Sequence, residues 1–252
     1  MIIAEVACHC RQVWSVAHAF SRRSSLDAGA ERYTGTVKRS DPPIRAVLFD
    51  FDGTLVDSEY LHHESWLEAA APWGVSVSWE EYERRLVGMS DRTASEFILR
   101  RAGMAGTPEL IELGRARKHR AYRARSVAEL TIDRRVLEWI RRNSGRVPLG
   151  VVSSSAVPDV VPILERQGIA RCMELIICGD HVERLKPDPM PYLLALRKLR
   201  SGFGIKRSRE CLVYEDSATG IESASSAGMT VHAVSTPSDL PRALNALDGR
   251  IP

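Results

Sequence analysis

Short apolar runs recur along the chain beyond residue 44, and each has the length of a buried strand. Runs of four or five apolar residues without alternation are typical of strands that are covered on both faces. The later runs are separated by segments with helical spacing, such as residues 191–200, where Leu193, Leu194, Leu196 and Leu199 predict an amphipathic helix. This alternation predicts an α/β fold with a parallel sheet and right-handed crossovers. The runs are residues 45–49, 149–152, 175–178, 211–214 and 230–234.

The gap between the first two runs is about 100 residues long and carries almost no strand signal. It is too long for a single crossover, so we expect an all-helical domain at residues 59–130, inserted into a core formed by residues 44–58 and 131–252. Residues 1–43 stand apart and end in consecutive prolines, which cannot continue a helix. We expect a disordered extension there, with a targeting peptide or a start codon assigned too far upstream as alternatives. Helical patterns within the gap cover residues 60–71, 79–86, 92–101, 108–126 and 134–142.

Composition and charge narrow the classes of function. The 252 residues carry 35 Lys and Arg against 32 Asp and Glu, a net charge of +3, which does not demand nucleic acid or an anionic membrane as a partner. No stretch approaches the roughly 18 uncharged apolar residues of a membrane span. The five cysteines form no CxxC pair, so we expect no zinc site and no disulfide framework, and we expect Cys178 and Cys211 to be buried thiols. A cytoplasmic protein fits these features.

Residues able to do chemistry follow four of the predicted strands. Asp50 and Asp52 come directly after the first strand, and their side chains point the same way because they are two residues apart. Ser153 follows the second strand, Lys186 follows the third, and Glu215 with Asp216 follow the fourth. In an open parallel sheet this edge binds ligands. Converging carboxylates there predict a divalent cation, and the serine and lysine predict an anion, a combination typical of phosphoryl transfer.

The segments DFDGTLVDSE, VVSSS, LKPDP and YEDSATG, in this order and spacing, resemble the four motifs of the haloacid-dehalogenase-like hydrolase superfamily. The resemblance covers residues 45 to about 240, and the helical insert resembles the small cap of the branch that contains phosphatases and β-phosphoglucomutase. It implies a Rossmann-like parallel sheet as the core.

The resemblance also implies roles for the residues at the strand ends. Asp50 would be the nucleophile that forms an aspartyl-phosphate, and Asp52 would be the general acid and then the base. Ser153 and Lys186 would hold the phosphoryl oxygens. A Mg²⁺ ion would be bound by Asp216, Asp50 and the backbone carbonyl of Asp52, with Glu215 as a further candidate.

Other positions are expected to assist. Gly53 would permit a tight turn after the aspartates, and Thr54 would help to hold Asp52. Both of them, with Ser154, are also candidates for contact with substrate. In the cap, His62 and Arg92 are candidates for contact with substrate. The segment Gly88–Arg92 resembles a loop that enters the active site, but mutases carry Arg directly after Ser, where this chain has Asp91. This difference argues against a mutase.

Residues 115–125 contain seven basic or histidine side chains in eleven positions. The simplest interpretation is a solvated face of a cap helix. Steering of an anionic substrate is the first alternative. Binding of nucleic acid is the second, although only Tyr122 offers a nearby aromatic ring.

Together these features predict a Mg²⁺-dependent phosphatase that acts on a small phosphorylated metabolite, either a sugar phosphate or phosphoglycolate, as a monomer or weak dimer. A phosphomutase would use the same nucleophile but return the phosphoryl group to a second hydroxyl. A binding protein on the same fold, without catalysis, is the alternative from another class; the intact Asp50, Asp52, Lys186 and Asp216 argue against it.

Overall fold

A computed structural model describes residues 43–251, so the prediction for residues 1–43 lies almost entirely outside the described part. Five parallel strands form one sheet in the order β3-β2-β1-β4-β5. The predicted α/β fold with a parallel sheet is confirmed. The strands are β1 (Ala46–Phe49), β2 (Leu149–Val152), β3 (Leu175–Ile177), β4 (Cys211–Glu215) and β5 (Thr230–Ala233).

The central strand explains why both faces of the sheet are apolar. Along β1, Val47 and Phe49 belong to one buried cluster, and Ala46 and Leu48 belong to another. Side chains alternate between the faces of a strand, so this four-residue run supplies both clusters. Helices α5 (Arg134–Asn143), α6 (Val157–Arg166) and α9 (Leu240–Leu247) cover the first face, and α7 (Met190–Phe203) and α8 (Ala218–Ser226) cover the second.

The strand order fixes where a ligand can bind. From β1 the chain passes to β2 and β3 on one side, then crosses to β4 and β5 on the other side. The crossover helices on either side of β1 therefore lie on opposite faces, which opens a crevice at the carboxyl ends of β1 and β4. The predicted site residues of the core follow these strand ends.

Five α-helices separate β1 from β2, as the pattern predicts, and the first four of them precede residue 130. Three of them begin with hydroxyl caps, because the side chains of Ser78, Ser90 and Thr107 accept hydrogen bonds from backbone N–H groups in the first turn. Parts of α1 to α3 share a buried cluster that includes Trp66, Tyr82 and Ile98. The first four helices are α1 (Glu59–Ala70), α2 (Trp79–Arg85), α3 (Asp91–Arg101) and α4 (Pro108–Glu129), and α5 is the fifth. The division at residues 59 and 130 stays a prediction.

The burial of individual side chains in α7 and of the cysteines tests the sequence pattern in detail. Leu193 does not share the buried face of α7 and is 47% exposed, so that part of the amphipathic prediction is wrong. Tyr192 is buried instead: it packs in the cluster on the second face of the sheet, and its hydroxyl donates to Glu215. Cys178 and Cys211 are fully buried, as expected. Across residues 43–251, no helix has the length and apolar character needed to cross a membrane.

Gly150 in β2 gives a direct test of the packing between the strands. A Cβ there would lie 2.7 Å from Leu175 Cδ1 and 2.9 Å from Leu48 Cδ2, closer than side chains approach. We therefore expect Gly150→Ala to lower the free energy of unfolding by about 1–3 kcal/mol in urea denaturation. Gly202→Ala in α7 is the matched control, since open space surrounds it and alanine favours a helix. Equal stability of the two variants would contradict the packing described here.

Candidate active site

The side chain of Lys186 lies at the centre of the strand-end crevice. Its Nζ donates to Asp50 Oδ1 and Glu215 Oε1, each at 2.5 Å, and to the carbonyl oxygen of Val152 at 2.9 Å. An ammonium group has three donors, and all three are used here. The side chain is only 4% exposed, so its position is fixed by contacts to the ends of β1, β2 and β4.

Glu215 is completely buried and fully bonded. Its Oε1 accepts from Lys186 and from the hydroxyl of Tyr192 at 3.1 Å. Its Oε2 accepts from the backbone N–H groups of Asp216 and Ser217 and from the Ser217 hydroxyl. Gly220 makes room for this carboxylate, because any Cβ at that position would overlap it.

Asp216 is held by Thr54 and by close contact with Gly53. Thr54 Oγ1 donates to Asp216 Oδ1 at 2.9 Å, and Thr54 is fully buried. The expectation that Thr54 holds Asp52 is therefore wrong: the turn after β1 directs its hydroxyl toward β4. Gly53 has a φ of +81°, and a Cβ there would lie 2.1 Å from Asp216 Oδ2. Both the turn and the carboxylate beside it therefore require glycine.

The carboxylates of Asp50, Glu215 and Asp216 present one oxygen each, all within 4.8 Å of one another. Burial and the nearby Glu215 charge raise the pKa of Asp50 well above its usual value, although Lys186 opposes this. The same two causes raise the pKa of Asp216 to about 7. A hard divalent cation among these oxygens would relieve the repulsion, so the donor set fits Mg²⁺. The Asp52 carboxylate is not part of this group.

Asp52 faces a different environment from Asp50. Its Oδ1 accepts a 2.6 Å hydrogen bond from Ser58, its Oδ2 accepts one of 2.6 Å from Ser155, and His62 Nε2 lies 3.4 Å from Oδ1. Burial opposes ionisation, but the bonds from His62, Ser155 and Ser58 outweigh it and lower the pKa of Asp52 to about 2. In this state Asp52 is a carboxylate at neutral pH. Sequence reasoning missed Ser58 and Ser155.

The three consecutive serines after β2 have different surroundings. Ser153 is buried, and its Oγ accepts a hydrogen bond from the backbone N–H of Ser155 at 2.9 Å. Ser154, expected to contact substrate, is exposed. The structure thus brings Ser155, rather than Ser154, to Asp52.

From the inserted helices, His62 reaches the site and Arg92 does not reach the carboxylates. The His62 ring stacks on Tyr122, with centroids 4.4 Å apart and planes 8° apart. Arg92 pairs with Glu96 on its own helix, and its side chain is 63% exposed. Tyr122 is almost completely buried.

The basic run on α4 is not simply a solvated face, so that interpretation needs correction. Lys118 is buried and pairs with Asp91 at 3.1 Å. His119 and Arg123 pair with Asp159 of α6 at 3.0 and 2.6 Å. The run alternates between groups that face neighbouring helices and groups that face solvent, since a helix turns by about 100° per residue.

The comparisons with known proteins agree with this geometry. Residues 47–234 match the family model described as haloacid dehalogenase-like hydrolase. The chain belongs to that family. One relative is the phosphorylated carbohydrates phosphatase of Thermotoga maritima, which is 29% identical over 74% of this chain and 82% of its own length. Another is the N-acetylmuramic acid 6-phosphate phosphatase of Pseudomonas aeruginosa, at 33% identity over 76% and 81%.

Among solved structures, CbbY of Rhodobacter sphaeroides in complex with xylulose-1,5-bisphosphate matches with a TM-score of 0.64 and 27% identity. That match covers 75% of this chain and 84% of the other. The predicted family and the Rossmann-like core are confirmed. The two named sequence relatives are phosphatases, and the prediction of a phosphoric monoester hydrolase is confirmed as well.

Removal of a hydrogen bond to Asp52 should change the acidity of this carboxyl group measurably. Ser155→Ala removes one hydrogen bond that stabilises the ionised carboxylate, while the burial that favours the protonated form remains. The pKa of Asp52 should therefore rise from about 2 by about one pH unit or more. Titration of the Asp52 side-chain carbon by NMR measures this. Ser154→Ala is the matched control, as its exposed side chain should leave the titration unchanged. An unaltered pKa in Ser155→Ala would contradict the assigned contact.

Proposed function

We propose that this protein is a Mg²⁺-dependent phosphatase that hydrolyses a small phosphorylated metabolite through an aspartyl-phosphate at Asp50. The observation that carries the proposal is the contact of Asp50 with Lys186, beside the acidic group completed by Glu215 and Asp216. A carboxylate held by a buried ammonium and flanked by oxygen ligands suits attack on phosphorus.

Asp50 would act as the nucleophile. One of its oxygens is fixed by Lys186, which leaves the other to attack the phosphorus atom of the ester. The P–O bond to the leaving group breaks as the Asp50–P bond forms, and water then breaks the acyl phosphate. Lys186 and Ser153 would balance charge on the phosphoryl oxygens.

Asp52 would move the protons in both half-reactions. With a pKa of about 2 it is ionised in the resting protein, the state needed to take a proton from the attacking water. To protonate the leaving oxygen it must first gain a proton. The negative charge of a bound phosphate ester would raise the pKa of Asp52 in the complex. A monoanionic ester, whose second pKa is about 6, could then supply that proton.

Mg²⁺, when bound, would neutralise the phosphoryl charge and keep the carboxylates around it ionised. Asp50 and Asp216 are the residues best placed to hold it, with the backbone carbonyl of Asp52 as the third protein ligand. Glu215 would act mainly through Lys186 and through its backbone bonds to Asp216 and Ser217, because those contacts already use both of its oxygens.

The substrate would be a sugar phosphate or a similar hydroxylated phosphate ester. The sequence relatives act on phosphorylated carbohydrates and on N-acetylmuramic acid 6-phosphate, as their names state. Among the described residues, His62 Nδ1 and Tyr122 Oη are buried polar atoms that make no hydrogen bond. These atoms lie on the cap side of Asp52, where hydroxyl groups of a leaving group would supply the missing hydrogen bonds.

We also propose that the enzyme works in the cytoplasm.

A phosphate-release screen tests the proposal. Purified protein with Mg²⁺ should release phosphate from at least one member of a panel of hexose phosphates, other sugar phosphates and phosphoglycolate, and a chelator should stop the release. Asp50→Asn should lower kcat by at least about a thousandfold, since it removes the nucleophilic oxygen. Asp57→Asn, an exposed aspartate in the same segment, is the control and should retain activity.

The outcomes separate the candidate functions. Isomerisation of a sugar phosphate without net phosphate release would indicate a mutase. Full turnover in Asp50→Asn would contradict the mechanism. Binding of phosphate esters without turnover of any compound would support a binding protein on this fold.

A further inference from the structure

A cluster of five charged side chains joins the inserted helices to the core outside the catalytic site. His119 of α4 contacts two carboxylates at once: its Nδ1 lies 3.0 Å from Asp159 Oδ2, and its Nε2 lies 3.1 Å from Asp91 Oδ2. Arg123 Nε, one turn further along α4, donates to Asp159 Oδ1 at 2.6 Å. Lys118 pairs with Asp91 at 3.1 Å. Three elements thus meet here: α3, α4 and the core helix α6.

Asp159 depends on the inserted helices for its partners. Its side chain is 4% exposed, and both of its oxygens accept from α4. A buried carboxylate that loses its partners is costly. If α4 moved away from α6, Asp159 would therefore lose the contacts that compensate for its burial. The pairing favours the arrangement in which α4 lies against the core.

The position of this cluster makes it an effective restraint. Helices α4 and α6 run side by side, since Arg166 at the end of α6 donates to the carbonyl oxygens of Val127 and Ala128 near the end of α4. His119 lies ten residues before Glu129, about 15 Å along the helix from the segment that returns to the core. A contact so far from the connecting segment limits rotation of the inserted helices more than a contact beside it.

Further contacts link the cluster to the catalytic site. The Lys118 ammonium lies 5.5 Å from the centre of the Tyr122 ring, Tyr122 stacks on His62, and His62 reaches Asp52. Tyr122 belongs to α4, so the placement of α4 affects the ring that stacks on His62, the imidazole beside Asp52. Movement of α4 by an ångström would alter the surroundings of the proton-transfer group.

We propose that Asp159 is a positioning residue, which acts through His119 and Arg123 to hold the inserted helices closed over Asp52. The consequence for turnover rests on the proposed phosphatase activity, whereas the closure itself does not.

Hydrogen exchange of the full chain, without substrate, tests the closure directly. Asp159→Asn should speed exchange in residues 108–129 and 157–166 on the order of tenfold, and leave β1 and β4 unchanged. Glu81→Gln is the matched control, because Glu81 pairs with Arg101 inside the inserted helices only. Asp159→Glu keeps the carboxylate and should restore most of the protection. Equal exchange in Asp159→Asn and Glu81→Gln would overturn the proposal.

Two further measurements separate positioning from a merely structural role. Asp159 and Asp91 raise the pKa of His119, so NMR titration of its ring should show a lower pKa in Asp159→Asn. His119→Gln combined with Asp159→Asn should speed exchange less than the sum of the single effects, because both remove one contact. Strict additivity, or an unshifted His119, would overturn the proposal.

In steady-state assays, Asp159→Asn should raise KM several-fold and change kcat less. These assays require that the protein turns over a substrate, so they give no result if the proposed function is wrong. The exchange and NMR experiments need no substrate and still test whether Asp159 holds the inserted helices closed.

Discussion

One buried ammonium group organises the catalytic end of this molecule. Lys186 bonds to the ends of β1, β2 and β4 through Asp50, the Val152 carbonyl and Glu215, and it has no donor left over. Without this cation, two carboxylates would face each other at a nearly water-free strand edge, an arrangement that costs several kcal/mol per uncompensated charge. Lys186 therefore allows a cluster of carboxylates to lie at the end of a hydrophobic sheet.

Around that centre the protein gives two nearby aspartates opposite properties. Asp50 shares its surroundings with Glu215 and Asp216, and burial together with repulsion from these carboxylates raises its pKa. Asp52, two residues later, lies beside His62 and accepts hydrogen bonds from Ser155 and Ser58, and together these contacts lower its pKa to about 2. The environment alone separates the acidities of the two carboxylates, since the residue type is the same. Gly53 allows the turn that follows and lets Asp216 approach.

Much of this arrangement could be predicted from the sequence, because it depends on periodicity and on the geometry of parallel strands. The apolar runs gave the strands nearly to the residue, and their ends placed Asp50, Lys186 and Asp216 together. Contacts that depend on side-chain direction in a turn could not be predicted. Thr54 was expected at Asp52 but bonds to Asp216, and among three consecutive serines nothing in the sequence distinguishes Ser155 as the one that reaches Asp52.

Contacts between distant segments were also beyond the sequence. The basic run on α4 gave no sign that Asp159, some 36 residues after Arg123, would pair with it. Such a contact depends on the packing of α4 against α6, which hydrophobic periodicity does not describe. Ser58 was missed as well, although it lies only six residues after Asp52, at the start of α1.

Chemical trapping of the acyl phosphate tests the central claim most directly. The protein is quenched during turnover of any substrate found by the screen, reduced with borohydride, and digested for mass spectrometry. The account predicts that Asp50, and no other aspartate of the peptide containing residues 45–58, is converted to homoserine. Steady phosphate release with Asp50 unmodified, or with homoserine at position 52 instead, would contradict it.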